Sequence, residues 1–237
     1  MTLLKKIYSP VLDTLFPDFC LVCAEYPVLK WGLCADCLNS ITGSEERRCH
    51  RCASRIGAFE EENPCAACRN IVLHFDRAIA LGSYSGLLKR LICQYKYLPD
   101  YRLCRPIRSL IHALLPEGIP ADIIVPVPLH WKRKLSRGFN HSESIAAAAA
   151  EKLHIPYVPR LLYRCRSTVH QAGLSRTARI SNVKNAFEVS PGYREKIRNN
   201  HVVVVDDVMS TGATCSNCAR VLKKSGAASV TVLVLAR

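Results

Sequence analysis

The chain has 237 residues, which at roughly 150 residues per domain allows one domain with a smaller companion or two small ones. Apolar residues make up 49 % and charged residues 22 %, a soluble globular balance that excludes a disordered tail, a collagen-like chain and a membrane bundle. The formal net charge is +14, and it is uneven. Residues 1–70 hold 8 Lys+Arg against 9 Asp+Glu, whereas residues 71–237 hold 25 against 10. A basic half implies an anionic partner: nucleic acid, a phosphorylated metabolite or anionic lipid.

Residues 1–18 form an N-terminal segment with an amphipathic stretch, Leu3–Phe16, carrying Lys5 and Lys6. With Asp13 and Pro10 among its leucines it does not read as a secretory leader. The longest uncharged apolar run, Ser225–Ala236, is too short to span a bilayer. The expected location is cytoplasmic, with the segment packed on its neighbour or resting peripherally on the inner membrane.

Eight of the 13 cysteines fall in residues 19–70 as four C-x-x-C pairs: Cys20/Cys23, Cys34/Cys37, Cys49/Cys52 and Cys65/Cys68. Each turn points two thiolates at one metal, and two turns complete a tetrahedral four-thiolate zinc site. Four pairs predict two zinc ions. Disulfides are the alternative, disfavoured in a reducing compartment. Sequential ribbons close shorter loops than a cross-braced arrangement and are preferred for that reason. With two zinc ions the eight thiolates leave this module acidic, so it is a poor grip for DNA phosphates. Its few large apolar residues mean that metal is what lets it fold. Cys215 and Cys218 form a further C-x-x-C, but within a predicted helix, where small buried residues are the commoner explanation.

Residues 71–237 read as one α/β domain: a parallel sheet flanked by helices, with ligands at the carboxyl ends of the strands. Arg77–Tyr84 predicts a strand and Gly86–Tyr97 a helix, with Leu87, Leu88, Leu91 and Ile92 at helical spacing. Tyr101–Leu115 predicts a second helix, which Pro106 obliges to begin near Arg105. Strands are expected at Asp122–Val127, Val202–Val205 and Ser229–Leu235, and helices at His141–Leu153 and Ala213–Ser225. Val202–Val205 has no polar face, as expected of a parallel strand covered on both sides.

The sharpest chemistry lies after that strand, in Asp206-Asp207-Val208-Met209-Ser210-Thr211-Gly212-Ala213-Thr214. Two adjacent carboxylates arrive at the strand tip. The turn behind them offers hydroxyls, backbone N–H groups and a helix N-terminus, which cradle one phosphate. Gly212 lets the backbone approach its ligand closely. The carboxylates would repel that phosphate unless they hold something else, and ribose hydroxyls meet both demands. An ordinary strand end with a helix cap explains each piece alone, but the string as a whole is far more specific.

Val202–Thr214 resembles the phosphoribosyl-pyrophosphate (PRPP) motif of type I phosphoribosyltransferases. Tyr84-Ser85-Gly86, Leu91-Ile92, Lys96-Tyr97, Val125–Leu129, Arg137–Asn140, Gln171, Leu174, Arg179, Asn182 and Phe187, together with the cysteine pairs, resemble the ComF-type competence proteins from about Phe19 to Arg237. The resemblance implies a double zinc ribbon followed by a phosphoribosyltransferase-like domain. It implies that Asp206 and Asp207 act on the ribose hydroxyls as the catalytic pair and that Ser210, Thr211, Gly212, Ala213 and Thr214 wrap the 5-phosphate. Pro126, Val127 and Pro128 would face the pyrophosphate. Gln171–Asn182 would be a hood bringing Arg176 and Arg179 to it, with Mg2+ bridging PRPP rather than sitting in a protein cage.

Lys132, Arg133, Lys134 and Arg137 follow the proposed pyrophosphate loop and have two uses. They offset charge on the leaving group, or they grip single-stranded DNA, with Trp131, Phe139, Tyr157 and Tyr163 available to stack bases. Three functions stay open. The chain serves uptake of single-stranded DNA in natural transformation on a PRPP-binding domain, transfers a phosphoribosyl group to an acceptor, or acts as a zinc-bearing adaptor for a competence helicase or inner-membrane DNA channel.

Overall fold

In the computed structural model, the described residues are 18–28, 32–42, 46–57, 64–69, 71–97, 104–129, 139–166, 175, 178 and 181–237. The amphipathic segment 3–16, the basic run 132–137 and Arg176 and Arg179 lie outside them.

Two cysteine clusters organise the N-terminal part. Cys20, Cys23, Cys34 and Cys37 bring their sulfurs within 4.8 Å of one another, and so do Cys49, Cys52, Cys65 and Cys68. The pairing is therefore sequential. Measured edges are 3.8 Å for Cys23–Cys34, 3.7 Å for Cys52–Cys65 and 4.0 Å for Cys49–Cys68. A zinc tetrahedron with Zn–S of about 2.3 Å has edges of about 3.8 Å, so both clusters fit the metal. The local chain is built for it. In each ribbon the residue after the first C-x-x-C turn is left-handed, Ala24 at φ 59° and Ala53 at φ 56°, and its N–H closes the turn on Cys20 or Cys49. The later pairs sit at the starts of short helices, α1 (Ala35–Thr42) and α2 (Ala66–Arg69). A two-stranded antiparallel pair, β1 (Asp18–Phe19) and β2 (Pro27–Val28), completes the first ribbon.

The sheet has four parallel strands in the order β3-β8-β7-β4: β3 (Arg77–Gly82), β8 (Ser229–Ala236), β7 (His201–Val208) and β4 (Ile123–Pro126). Val202 to Val205 are at most 1 % exposed, as a strand covered on both faces requires. Alternation sorts them: Val202 and Val204 join one core, Val203 and Val205 the other. The second core is closed by α3 (Gly86–Tyr97), α4 (Cys104–Leu114) and α5 (His141–Leu153). The first core is closed by α7 (Ala213–Lys224) and by a hairpin of β5 (Leu162–Arg164) and β6 (Phe187–Val189). A short helix, α6 (Arg194–Ile197), precedes β7.

Helices α3 and α5 match their expected limits, and α4 begins at Cys104, placing Pro106 in the first turn, where its missing N–H is harmless. Strand β7 runs three residues further than expected, so Asp206 and Asp207 lie within the strand.

The ribbons divide between the faces. Cysteines of the first share a core with α3, α4 and α5, and those of the second share a core with α7. The second also lines edge strand β3, where Ala78 N–H donates to the His50 carbonyl. The sequential pairing sets a metal count. Cys23→Ser combined with Cys34→Ser disables one site only, so metal analysis should fall from two zinc ions per chain to one. A cross-braced chain would lose both.

Candidate functional site

Three elements converge at the carboxyl end of β7. The first is β7 itself, which carries Asp206 and Asp207 just before its final residue, Val208. The second is the start of α5. Asn140 caps it, its side-chain oxygen accepting from Ser142 N–H at 3.2 Å while its amide donates to the Val127 carbonyl at 3.1 Å. That residue therefore ties the Pro126-Val127-Pro128 segment to α5. Val127 N–H in turn donates to the Val205 carbonyl at 2.8 Å, so this segment lies beside the end of β7. The third is the end of α3, which delivers Lys96.

The carboxylates are held individually. Asp206 accepts from the Ser142 hydroxyl at 2.9 Å and from the Asp207 N–H at 3.0 Å. Asp207 pairs with Lys96 at 3.0 Å and accepts from Val208 N–H at 2.6 Å. Lys96 is placed by its neighbour Tyr95, which is fully buried. The Tyr95 carbonyl accepts from His141 Nε2 at 2.7 Å, and its phenol bonds Ser144. Its ring packs edge-on against His141, at 4.7 Å between centroids, and Phe139 closes the cluster. Burial first, and then the Asp207 charge, pushes the Asp206 carboxyl up to about 7.

After the carboxylates the chain turns through Met209–Gly212 into α7. Met209 is buried and Ser210 is exposed. The Thr211 hydroxyl accepts from Ala213 N–H at 3.3 Å, and the first helical bond runs from Ser216 N–H to the Gly212 carbonyl at 2.8 Å. Gly212 has φ 75°. A Cβ there would meet Met209, Leu73 and Phe75 at 3.5–3.7 Å, ordinary contact distances. The requirement for glycine therefore comes from the left-handed backbone, not from space. Ser210, Thr211, Gly212, Ala213 and Thr214 thus form one continuous turn and helix start next to the carboxylates.

Asp206, Asp207, Pro126–Pro128 and Ser210–Thr214 are brought together at one end of the sheet. Lys132, Arg133, Lys134, Arg137, Arg176 and Arg179 lie outside the described residues. Sequence reasoning missed Lys96 and Ser142 as partners of the aspartates. Lys96 stood only in the Lys96-Tyr97 block, and Ser142 carried no signal beyond following Asn140-His141. Cys215 and Cys218 are buried in α7, with Cys215 Sγ 4.0 Å from Asp206.

Comparison with known proteins matches two parts of the chain. The family model of the double zinc ribbon domain matches residues 11–69, and that of the phosphoribosyl transferase domain matches residues 142–237. The chain is 31 % identical over 228 residues to the DNA utilization protein YhgH of Escherichia coli (strain K12), covering 93 % of this chain and 97 % of that one. It is 28 % identical over 217 residues to competence protein F of Haemophilus influenzae, covering 89 % and 92 %. Among solved structures, the allosteric regulatory enzyme of purine biosynthesis aligns with TM-score 0.36 and 24 % identity over 54 % of this chain and 24 % of that one.

The Asp206 environment has a consequence for stability. A carboxyl raised from 3.8 to about 7 on folding holds its proton more tightly in the folded chain. Its contribution is complete below the unfolded value and is lost as pH rises through the folded one. Asp206→Asn keeps an acceptor for Ser142 and has no charge to bury. The variant should match the wild type in melting temperature near pH 4 and exceed it by about 2 °C or more at pH 8, equivalent to about 1 kcal/mol. Parallel melting profiles across that range would refute the assignment.

Proposed function

The chain belongs to the ComF-type competence proteins, a double zinc ribbon joined to a phosphoribosyltransferase domain, and from that premise we propose that it binds PRPP and serves the uptake of single-stranded DNA. One observation carries the PRPP reading. Within nine residues the chain presents a carboxylate pair at a strand tip and a left-handed glycine turn opening a helix. The first suits hydroxyls and the second suits a phosphate, and a 5-phosphorylated ribose offers both at that spacing. Asp206 and Asp207 take the ribose hydroxyls, and Ser210 to Thr214 take the 5-phosphate. Pro126, Val127 and Pro128 face the pyrophosphate; Arg176 and Arg179, outside the described residues, would pair with its charge, and Mg2+ bound with PRPP would offset more of it.

The DNA part rests on the basic balance of residues 71–237 and on Lys132, Arg133, Lys134 and Arg137, interleaved with aromatics. No helix of the described residues is long and apolar enough to cross a membrane; a competence helicase or inner-membrane DNA channel is the partner proposed for the DNA role. Phosphoribosyl transfer is a second reading, favoured by the carboxylate pair. As the C1–pyrophosphate bond breaks and the acceptor bonds to C1, negative charge beneath the ribose stabilises the positive charge at C1.

Calorimetric titration of zinc-loaded protein with PRPP and Mg2+ tests the first part. Saturable binding is expected, weakened about 10-fold or more by Asp207→Asn, which removes a charged acceptor worth about 1.5–3 kcal/mol, and weakened also by Asp206→Asn, which removes an acceptor that is fully charged only above about pH 7. Folded wild type that does not bind would overturn it. For DNA, replacing Lys132, Arg133 and Lys134 by Gln should reduce the slope of log affinity against log salt by about 2, at about 0.7 for each phosphate left without its cation. An unchanged slope excludes that patch.

A further inference from the structure

The segment leaving the second zinc ribbon runs directly behind the proposed phosphate turn. Leu73 and Phe75 are 6 % and 1 % exposed, and both reach the Cβ position of Gly212, at 3.6 and 3.7 Å. Between them, His74 N–H donates to the hydroxyl of buried Ser216 at 3.1 Å, in the first turn of α7. Further along, Asp76 pairs with Lys223 at 2.8 Å and exchanges hydrogen bonds with Val230. Residues 73–76 are thus a strap laid along α7 from its first turn to its last.

A side chain of the ribbon reaches the near end of the strap. Arg51 lies inside the Cys49/Cys52 turn, and its Nη2 donates to the Leu73 carbonyl at 3.0 Å. Its Nε is buried without a partner among the described residues. A buried guanidinium nitrogen with an unmet donor is costly. The zinc-binding turn, Arg51, Leu73 and the Gly212 turn form one unbroken run of contacts.

We infer that Arg51 is a positioning residue for the phosphate turn, and that the second zinc ribbon acts through it as the back wall of the phosphate half of the site. The ligand named here rests on the PRPP reading above, but the strap itself does not. A cradle of backbone N–H groups binds a phosphate only as well as its backbone is held, and the strap is what holds it from behind.

The test compares wild type, Arg51→Ala, Arg51→Lys and Ser216→Ala as full-length, zinc-loaded chains. Four quantities are read: zinc content, melting temperature, PRPP affinity with Mg2+, and amide exchange of peptides covering 71–76 and 209–216. Arg51→Ala should keep two zinc ions, speed exchange in both peptides and weaken PRPP about 3- to 10-fold, beyond what its melting temperature accounts for. Arg51→Lys retains a donor for the Leu73 carbonyl and should restore most of the affinity. Ser216→Ala, which removes the strap's hydrogen bond to the first turn of α7, should reproduce the alanine effect without touching the ribbon. Loss of zinc from Arg51→Ala would overturn the proposal in favour of a role in metal binding, and unchanged exchange at 209–216 would overturn it outright. Should wild type fail to bind PRPP, the PRPP reading falls, and the exchange data still decide whether the clamp exists.

Discussion

A parallel sheet has two faces and two edges to keep from water, and four strands give only a few helices to do it with. Here β4 is flanked by the chain at Pro156–Val158, which exchanges hydrogen bonds with Ile124. Among the described residues, strand β3 has no such neighbour from its own domain. The second ribbon takes that place, through the His50 carbonyl and through Arg48, which donates to the Ser83 hydroxyl at 2.9 Å. The last residue closes the joint, Arg237 Nε donating to Ser54 at 2.8 Å. Ribbon cysteines and sheet valines consequently share cores. A ribbon with few large side chains gains its rigidity from metal and lends it to the sheet edge.

The same burial sets the electrostatics of the site. A strand covered on both faces cannot end in two carboxylates without arranging partners for them. Asp207 has Lys96, from α3. Asp206 is held by a hydroxyl and a backbone N–H, and its carboxyl rises to about 7 in that half-buried place. Lys96 thus faces an acid pair. The Tyr95, Phe139 and His141 cluster fixes the approach of α3 to α5, and with it the position of Lys96.

Much of this was legible in the residues. Local signals carried the cysteine spacing, the all-apolar Val202–Val205, the helical spacing of Leu87 to Ile92 and the Gly212 turn, and the structure forms each where its chemistry demands. Long-range relations were not legible. Strands β5 and β6 are three residues each, separated by residues 165–186, and their pairing shows in no periodicity. Lys96 meets Asp207 from far away in the chain, and nothing about a lysine near a helix end announces an acidic partner. Arg51 had no signal at all: in a zinc-binding turn, the residues between the cysteines read as solvent-facing.

Such long-range contacts also place each ribbon behind one part of the candidate site. The first packs its helix α1 against α3, and its Gly32 lies close against Pro106 of α4. It therefore stands behind the helix that brings Lys96 to Asp207. The second stands behind the turn at Gly212, through Arg51 and the strap. The carboxylate half of the site and the turn half are thus braced from opposite faces of the sheet, each by a different cysteine cluster. Between them lies β7, which contributes the aspartates and is itself sealed by the cores the two ribbons help to close. A ligand spanning both halves would draw on both braces at once, so its affinity would report the integrity of each cluster.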